Sequence, residues 1–538
     1  MSGRVPGGHV LCAAGHGFRS RVQPADVRSD LRPRHAPSRP CNWGCLPSVA
    51  VSRRIVVVGH GMVGARFVEE VRRRDPHGAR VRLTVLGAEP RPAYNRVLLS
   101  TVLAGGLSAR AVELHPAGWA ARQRVDLRLG VTATAINRSR RAVHTGSDGI
   151  EPYDELVLAT GSRAWLPPMD GLDDASVATF RDIADCERII GLAHPGARFV
   201  VLGGGLLGCE AARGLAGRGV RVTLVHPKQH LMERQLDAGA GEVLAATLRR
   251  LGVDVRLGVE AQAWEPGYGL RCGDSGVDEL VAADALVVAA GVRAETDLAA
   301  AAGIAVDRGV LVDDRLATSD ARVHAIGDCA QHAGTAAGLV QPGWEQAAVL
   351  ADLLTGADPV ARYGGTPSVT RLKARGVDLA TVGDPAALDR PGAEVLRFAD
   401  PVGGRYATLA LQGDRVVSGA MIGLPDAAAS MIQFYDTGSP APADRLGLLL
   451  GRALPGAPET ADPTRLPASA VVCRCNTVTK GALVAAWRGG ATDVAALSRA
   501  TRAGTGCGSC GDAVQGICTW LAESDPPVLS PVRQEGAA

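Results

Sequence analysis

Two glycine fingerprints constrain this chain more than any other feature. In RRIVVVGHGMVGARFVEEVRRRD the apolar run from Ile55 to Val58 ends at Gly59, and Gly59, Gly61 and Gly64 spell GxGxxG ahead of a helical pattern. In RFVVLGGGLLGCEAARGLAGRG, Gly203, Gly205 and Gly208 repeat the arrangement. Such runs read as buried parallel strands, and the glycines let backbone N–H groups and a helix N-terminus approach a pyrophosphate. The motif alone is weak, because with 67 glycines in 538 residues it arises by chance roughly once. A third match, Gly506, Gly508 and Gly511 in TGCGSCG, has no strand before it and cysteines in its spaces, so it is discounted. Two cradles in strand–turn–helix context predict an α/β protein with two Rossmann-like dinucleotide-binding domains.

The strand after each cradle tests the assignment further. After the first, VRLTVLGAEPRPAYNR places Glu89 near the strand end, where an acid binds a ribose hydroxyl. After the second, VRVTLVHPKQHLMERQLD ends its strand in His226, with Lys228 nearby, so no carboxylate is expected there to repel a 2′-phosphate. Two later stretches, with Ala159-Thr160-Gly161 and Ala290-Gly291, read as strands leaving a sheet beside a bound dinucleotide. Met62 and Leu207, inside the two fingerprints, join the cofactor-binding set.

Near the C-terminal end, VVCRCNTVTKG holds Cys473 and Cys475, and TGCGSC holds Cys507 and Cys510. A disulfide between neighbours at i and i+2 would be strained. Four thiolates spaced C-x-C, 31 residues, C-x-x-C suit a [2Fe–2S] cluster and also suit structural zinc. The intervening sequence reads as two short helices starting near Thr477 and Thr492, separated by Gly489-Gly490. Cys186, Cys209, Cys272 and Cys329 are scattered singly, and Cys518 sits on a helical pattern; all five read as buried apolar residues.

The order of these elements, with Gly327-Asp328 in ATSDARVHAIGDCAQH, resembles the two-dinucleotide flavoprotein reductases, in which an NAD(P)H domain is inserted into an FAD domain. The resemblance implies that Asp328 binds the FAD ribityl chain, that Glu210 lines the nicotinamide pocket, and that Arg96 and Trp344 lie against the flavin. The disulfide reductases of that group carry CxxxxC after the first fingerprint; GARFVEEVRRRD has no cysteine, so a dithiol relay is not expected. Residues 473–510 resemble the bacterioferritin-associated-ferredoxin-like [2Fe–2S] domain, which makes Cys473, Cys475, Cys507 and Cys510 the metal ligands. From Ile55 to Cys510 the chain resembles the front half of the NAD(P)H-dependent assimilatory nitrite reductase large subunit, and equally the electron-transfer subunit of assimilatory nitrate reductase. The stretches that carry this are VVVGHGMVG, AYNRVLLS, LMERQLD, TRLKARGVDLATVGD and the cysteine segment. The chain ends 28 residues after Cys510, without the further cysteines of a sirohaem region, so electrons are expected to pass to a separate nitrate or nitrite reductase. The alternatives are an amino-acid or opine dehydrogenase subunit with FAD and the cluster, or a ferredoxin/rubredoxin reductase-like protein.

The expected division is a disordered Arg/Pro/Gly-rich extension (1–51), an FAD domain (52–165 plus 285–355), an NAD(P)H domain (166–284), an α/β interface domain on the flavin side (356–452), a linker (453–469), a mostly helical cluster domain (470–525) and a tail (526–538). Residues 1–54 carry nine Arg against two Asp, which leaves the rest of the chain mildly acidic and gives nucleic-acid binding no support. No apolar run approaches 18 residues, so no membrane span is expected. Twelve cysteines without a secretory signal point to a reducing, cytoplasmic setting. A homodimer is the expected assembly, if the chain assembles at all.

Overall fold

The computed structural model describes residues 52–146, 148–274, 277–336, 338–451, 466–473, 476, 478–505 and 510–525. The expected extension 1–51, most of the linker, the tail 526–538, Cys475 and Cys507 lie outside the described residues. Among the described residues no helix is long and apolar enough to cross a membrane.

The first cradle sits on a five-stranded parallel sheet. Its central strand, Arg53–Val58, pairs with Val81–Gly87 on one side and Glu155–Leu158 on the other, and Val125–Leu129 and Val323–Ala325 form the edges. Both faces are covered, which explains why the run from Ile55 to Val58 shows no polar alternation. Ile55 and Val57 pack with Phe67 and Val68 of helix Met62–Arg74, while Val56 and Val58 pack with Tyr153 and Val143 on the opposite face. Helix Val340–Thr355 lies along the first helix, sharing Leu350 and Ala351 with its core and pairing Asp352 with Arg74 at 2.6 Å.

The second cradle repeats this plan. Arg198–Leu202 is central, between Arg221–His226 and Ala285–Val288, with Val253–Leu257 and Val177–Thr179 at the edges, all parallel. Ala285–Val288 opens the expected second FAD segment, yet it belongs to this inserted sheet, because it pairs with Phe199 to Leu202. The chain crosses between the two sheets on an antiparallel pair, Ser162–Ala164 with Val292–Ala294.

Residues 369–422 form a five-stranded antiparallel sheet backed by helix Pro425–Thr437. Its Leu372, Leu379, Tyr406 and Ile422 share a core with Leu244 and Leu248 of the inserted domain, and Tyr406 donates to Asp237 at 2.9 Å. The sheet is thus fused to the inserted domain while also reaching the cleft described below.

The C-terminal segment pairs Val471–Cys473 with Val478–Thr479, followed by helices Lys480–Arg488, Val494–Thr501 and Gly511–Ser524. The caps differ from expectation. Thr479, not Thr477, accepts from Ala482 N–H, and Asp493, not Thr492, accepts from Ala496 N–H. The hairpin holds Val478 and Thr479 extended, so the first helix starts two residues late. The domain packs against the flavin side. Its Leu483, Val514 and Leu521 form one core with Met62 and Trp344 of the flavin side.

Candidate functional site

The two cradles are built alike. Gly59 has φ +110, and a Cβ there would lie 2.2 Å from Ala159 O; one on Gly64 would lie 2.1 Å from Gly59 O. In the second cradle Gly203 has φ +116 and the corresponding approaches are 2.5 Å, to Ala289 O, and 1.8 Å, between Gly208 and Gly203 O. The outer glycines are therefore demanded by the chain itself. The middle ones, Gly61 and Gly205, face open space. Each is the N-cap of its helix and offers no side-chain cap. The first-turn N–H groups are thus available to an anion, and both cradles fit a dinucleotide pyrophosphate.

A cleft of about 860 Å³ opens over the first cradle. On it lie Gly59, Gly61, Met62, Glu89, Arg96, Ala159, Thr160, Gly161, Gly327 and Asp328 from the flavin side, Leu207 and Glu210 from the inserted domain, and Cys510 from the C-terminal domain. Gly64, Gly203, Gly205, Gly208, His226, Gly291, Trp344 and Cys473 are not on its wall. Trp344 is buried behind it, donating to Met62 O at 3.4 Å.

Polar groups along the wall are paired, some across long stretches of chain and some within one loop. Asp328 accepts from Arg181 at 2.7 Å and from Ser162 at 3.0 Å, which fixes its carboxylate beside Gly327. Glu89 accepts from Arg96 and, at 2.8 Å, from the Tyr94 hydroxyl, so Arg96 reaches Glu89 directly. Arg181 and Ser162 carry no sequence signal of their own.

His226 is corrected in one respect. Its Nδ1 accepts from Gly204 N–H at 3.0 Å, so the proton sits on Nε2, which meets Glu233 at 3.1 Å. Burial lowers its pKa and keeps the ring neutral. A carboxylate does stand at this strand end, supplied by the following loop. The motif LMERQLD carries that signal.

Glu210, on helix Leu206–Ala216, is 4% exposed and accepts from Lys373 N–H at 2.9 Å. Burial raises its pKa; the Lys373 charge and N–H pull it back down. Lys373, from the antiparallel domain, also lines the cleft.

Cys473 and Cys510 are buried in one core. Asn476 Nδ2 lies 3.7 Å from Cys473 Sγ, and Gly504 N–H donates to Cys510 Sγ at 3.2 Å. N–H groups aimed at sulfur suit thiolates that carry cluster charge. Cys186, Cys209, Cys272 and Cys329 are buried in ordinary core, and burial raises all four thiol pKa values, Cys186 to about 12.

Between Gly59 and Gly61, His60 has a buried Nδ1 without a hydrogen-bond partner among the described residues. Burial pushes its pKa from 6.5 down to about 4, with His115 adding in the same direction. The unfolded chain takes up this proton near pH 6.5 and the folded protein only near 4. Stability is therefore full above pH 6.5 and falls as pH drops toward 4, by on the order of 3 kcal/mol. The melting temperature of flavin-free protein should decline across that window; burial lowers His115 to about 4 as well, so His60→Asn should remove about half of the decline. An equal decline in the variant would assign it to other groups.

Paired glycine cradles, an inserted second sheet and a cysteine domain on a shared cleft define a two-dinucleotide reductase with an attached metal-cluster module. The chain belongs to the pyridine nucleotide-disulphide oxidoreductase family, whose model matches residues 53–349, and residues 471–519 match the BFD-like [2Fe-2S] binding domain. FAD, NAD(P)H and a [2Fe–2S] cluster are the cofactors these matches bring. Over 482 residues the chain is 34% identical to a nitrite reductase [NAD(P)H] of Bacillus subtilis (strain 168), covering 88% of this chain and 58% of that protein. Over 489 residues it is 32% identical to the assimilatory nitrate reductase electron transfer subunit of the same organism, covering 88% and 60%. The chain thus spans about three-fifths of the length of either relative. In fold it matches a crystal structure of the covalent putidaredoxin reductase–putidaredoxin complex with a TM-score of 0.66 and 25% identity, over 73% of this chain and 95% of that one.

Proposed function

We propose that this protein is an NAD(P)H-dependent oxidoreductase that relays electrons from NAD(P)H, through FAD and a [2Fe–2S] cluster, to a separate assimilatory nitrate or nitrite reductase. The observation that carries the reading is the shared cleft: the flavin cradle, Glu210 of the nicotinamide side and Cys510 of the cluster domain border one space. On this reading the flavin domain comprises residues 52–165 and 289–355, and the nicotinamide domain residues 166–288.

Each residue set has a physical task. Gly61 and the N-terminus of helix Met62–Arg74 take the FAD pyrophosphate, Glu89 a ribose hydroxyl, and Asp328, held by Arg181, the ribityl chain. Gly205 and the N-terminus of helix Leu206–Ala216 take the pyrophosphate of NAD(P)H, while Glu210, tethered to Lys373 N–H, borders the nicotinamide. Cys473, Cys475, Cys507 and Cys510 hold the cluster. FAD when bound accepts a hydride and releases its electrons singly, and this links a two-electron donor to a one-electron acceptor. The protein's own share is to bring the cradle and Cys510 onto one cleft.

The test uses anaerobically purified protein, its visible spectrum, iron and acid-labile sulfide, before and after stoichiometric NADH or NADPH. One FAD and about two irons per chain, both bleached by nucleotide, are expected. Zinc in place of iron would leave a simple flavoprotein reductase, and a flavin indifferent to both nucleotides would sink the NAD(P)H assignment.

A further inference from the structure

The cysteine domain is held to the flavin domain by a contact that no motif announces. Helix Val494–Thr501 ends at Arg502, whose backbone adopts φ +68. This left-handed conformation is costly for any residue with a Cβ, and glycine or asparagine is usual there. The Arg502 guanidinium leaves its own domain and pairs with Glu69 on helix Met62–Arg74, the helix whose N-terminus forms the first cradle. It stands 6.0 Å over the ring of Trp344. Arg66, from the flavin helix, stands 5.5 Å over the same ring. The indole thus meets one cation from each domain within 6.0 Å of its ring centre, and each contact is a cation–π attraction.

The surrounding charges form one cluster, in which Arg66 also lies 4.0 Å from Glu69. Arg66 pairs with Glu70 at 2.8 Å, Arg73 and Arg74 also bond Glu70, and His115 bonds Glu69. Arg502 is 18% exposed, and burial with nearby Arg66 pushes its pKa down to about 10, which leaves it charged at neutral pH. A second tie lies alongside, where Asn95 Nδ2 donates to Thr505 O at 2.7 Å. The same loop supports the ligand cysteines. Arg502 O accepts from Asn476 Nδ2 at 2.7 Å, and Gly504 N–H bonds Cys510 Sγ.

We propose that Arg502 is the docking residue of the cysteine domain, reaching across to Glu69 and Trp344 to hold the cysteine loop on the flavin-cradle helix. It is a positioning residue, acting through the placement of Cys510 on the cleft. Docking itself does not depend on which metal group the cysteines hold; only the electron-transfer readout below rests on the relay proposed above.

Arg502→Gly separates docking from loop shape. Glycine adopts φ +68 freely and keeps the backbone bonds to Asn476 and Ser498, so the cysteine loop and its iron should survive. The guanidinium is gone, so small-angle scattering of the full chain should show a larger maximum dimension than wild type. Reduction of FAD by NAD(P)H should be unchanged, and passage of electrons to a one-electron dye should slow at least tenfold. Glu69→Gln removes the partner charge and should expand the particle in the same way. An unchanged maximum dimension in both variants would overturn the proposal, whatever the dye assay gives. So would loss of iron in Arg502→Gly, since the residue would then shape the loop. Expanded particles with undiminished dye reduction would uphold docking and count instead against the relay.

Discussion

Replacing Cys510 by serine is expected to leave reduction of FAD by NAD(P)H nearly unchanged and to cut electron delivery to a one-electron acceptor by ~100-fold or more. The two halves of that expectation come from different walls of one cleft. The flavin cradle is set by Gly59 and Gly64 against Ala159 and by the strand from Ile55 to Val58, none of which depends on the cysteine domain. Cys510 is 6% exposed, accepts from Gly504 N–H, and lies on the cleft wall. A serine hydroxyl there is a harder, far less acidic ligand than a thiolate and binds iron poorly. Stopped-flow bleaching of flavin absorbance, dye reduction and iron content measured on one sample would separate the steps. Dye reduction at the wild-type rate by iron-depleted variant would mean that the acceptor draws from the flavin directly and that the cysteines are off the path.

Features legible in the sequence were those in which one short stretch carries its own physical reason. The run from Ile55 to Val58 with the glycines after it reads as a strand covered on both faces, and the glycines at 64 and 208 follow from backbone crowding within a few residues. The spacing of the four cysteines is equally local, and it matches a family of cluster-binding domains. Pairings across the fold were not legible. Arg181 reaches Asp328 over 147 residues and Lys373 reaches Glu210 over 163, and nothing in either stretch names its partner. Arg502 and Glu69 belong to different domains and meet only because two helices pack around Trp344. Glu233 is the intermediate case. It lies seven residues beyond His226, but its value depends on His226 turning Nδ1 toward Gly204 and Nε2 toward the loop. The assignment of Ala285–Val288 failed for a related reason: sheet membership depends on pairing partners, and a buried strand of either sheet looks the same in sequence.

The largest separable effect on the nucleotides should come from two alanine substitutions of the same kind. Gly208→Ala should slow reduction of FAD by subsaturating NAD(P)H about a hundredfold while leaving FAD content intact; Gly64→Ala should cost the flavin itself. In each case the added methyl meets a carbonyl oxygen of the cradle's first glycine, at 1.8 Å from Gly203 O or 2.1 Å from Gly59 O. Real Cβ atoms do not approach so closely, and a backbone oxygen has no rotamer by which to withdraw. The turn must open, and the N–H groups at the helix start lose their aim at the pyrophosphate. An opening of this kind costs on the order of 3 kcal/mol in ligand affinity, about a hundredfold. The middle glycines predict a contrast. Gly61 and Gly205 have open space at the Cβ position, so alanine there leaves the apoprotein fold unstrained and interferes only with the bound dinucleotide. Melting temperature and bound flavin, measured for all four variants, should therefore divide them. Gly64→Ala and Gly208→Ala should lower both the melting temperature of flavin-free protein and the affinity for their own dinucleotide; Gly61→Ala and Gly205→Ala should lower affinity alone. If Gly208→Ala instead lost FAD and kept its affinity for NAD(P)H, the two cradles would have been assigned the wrong way round.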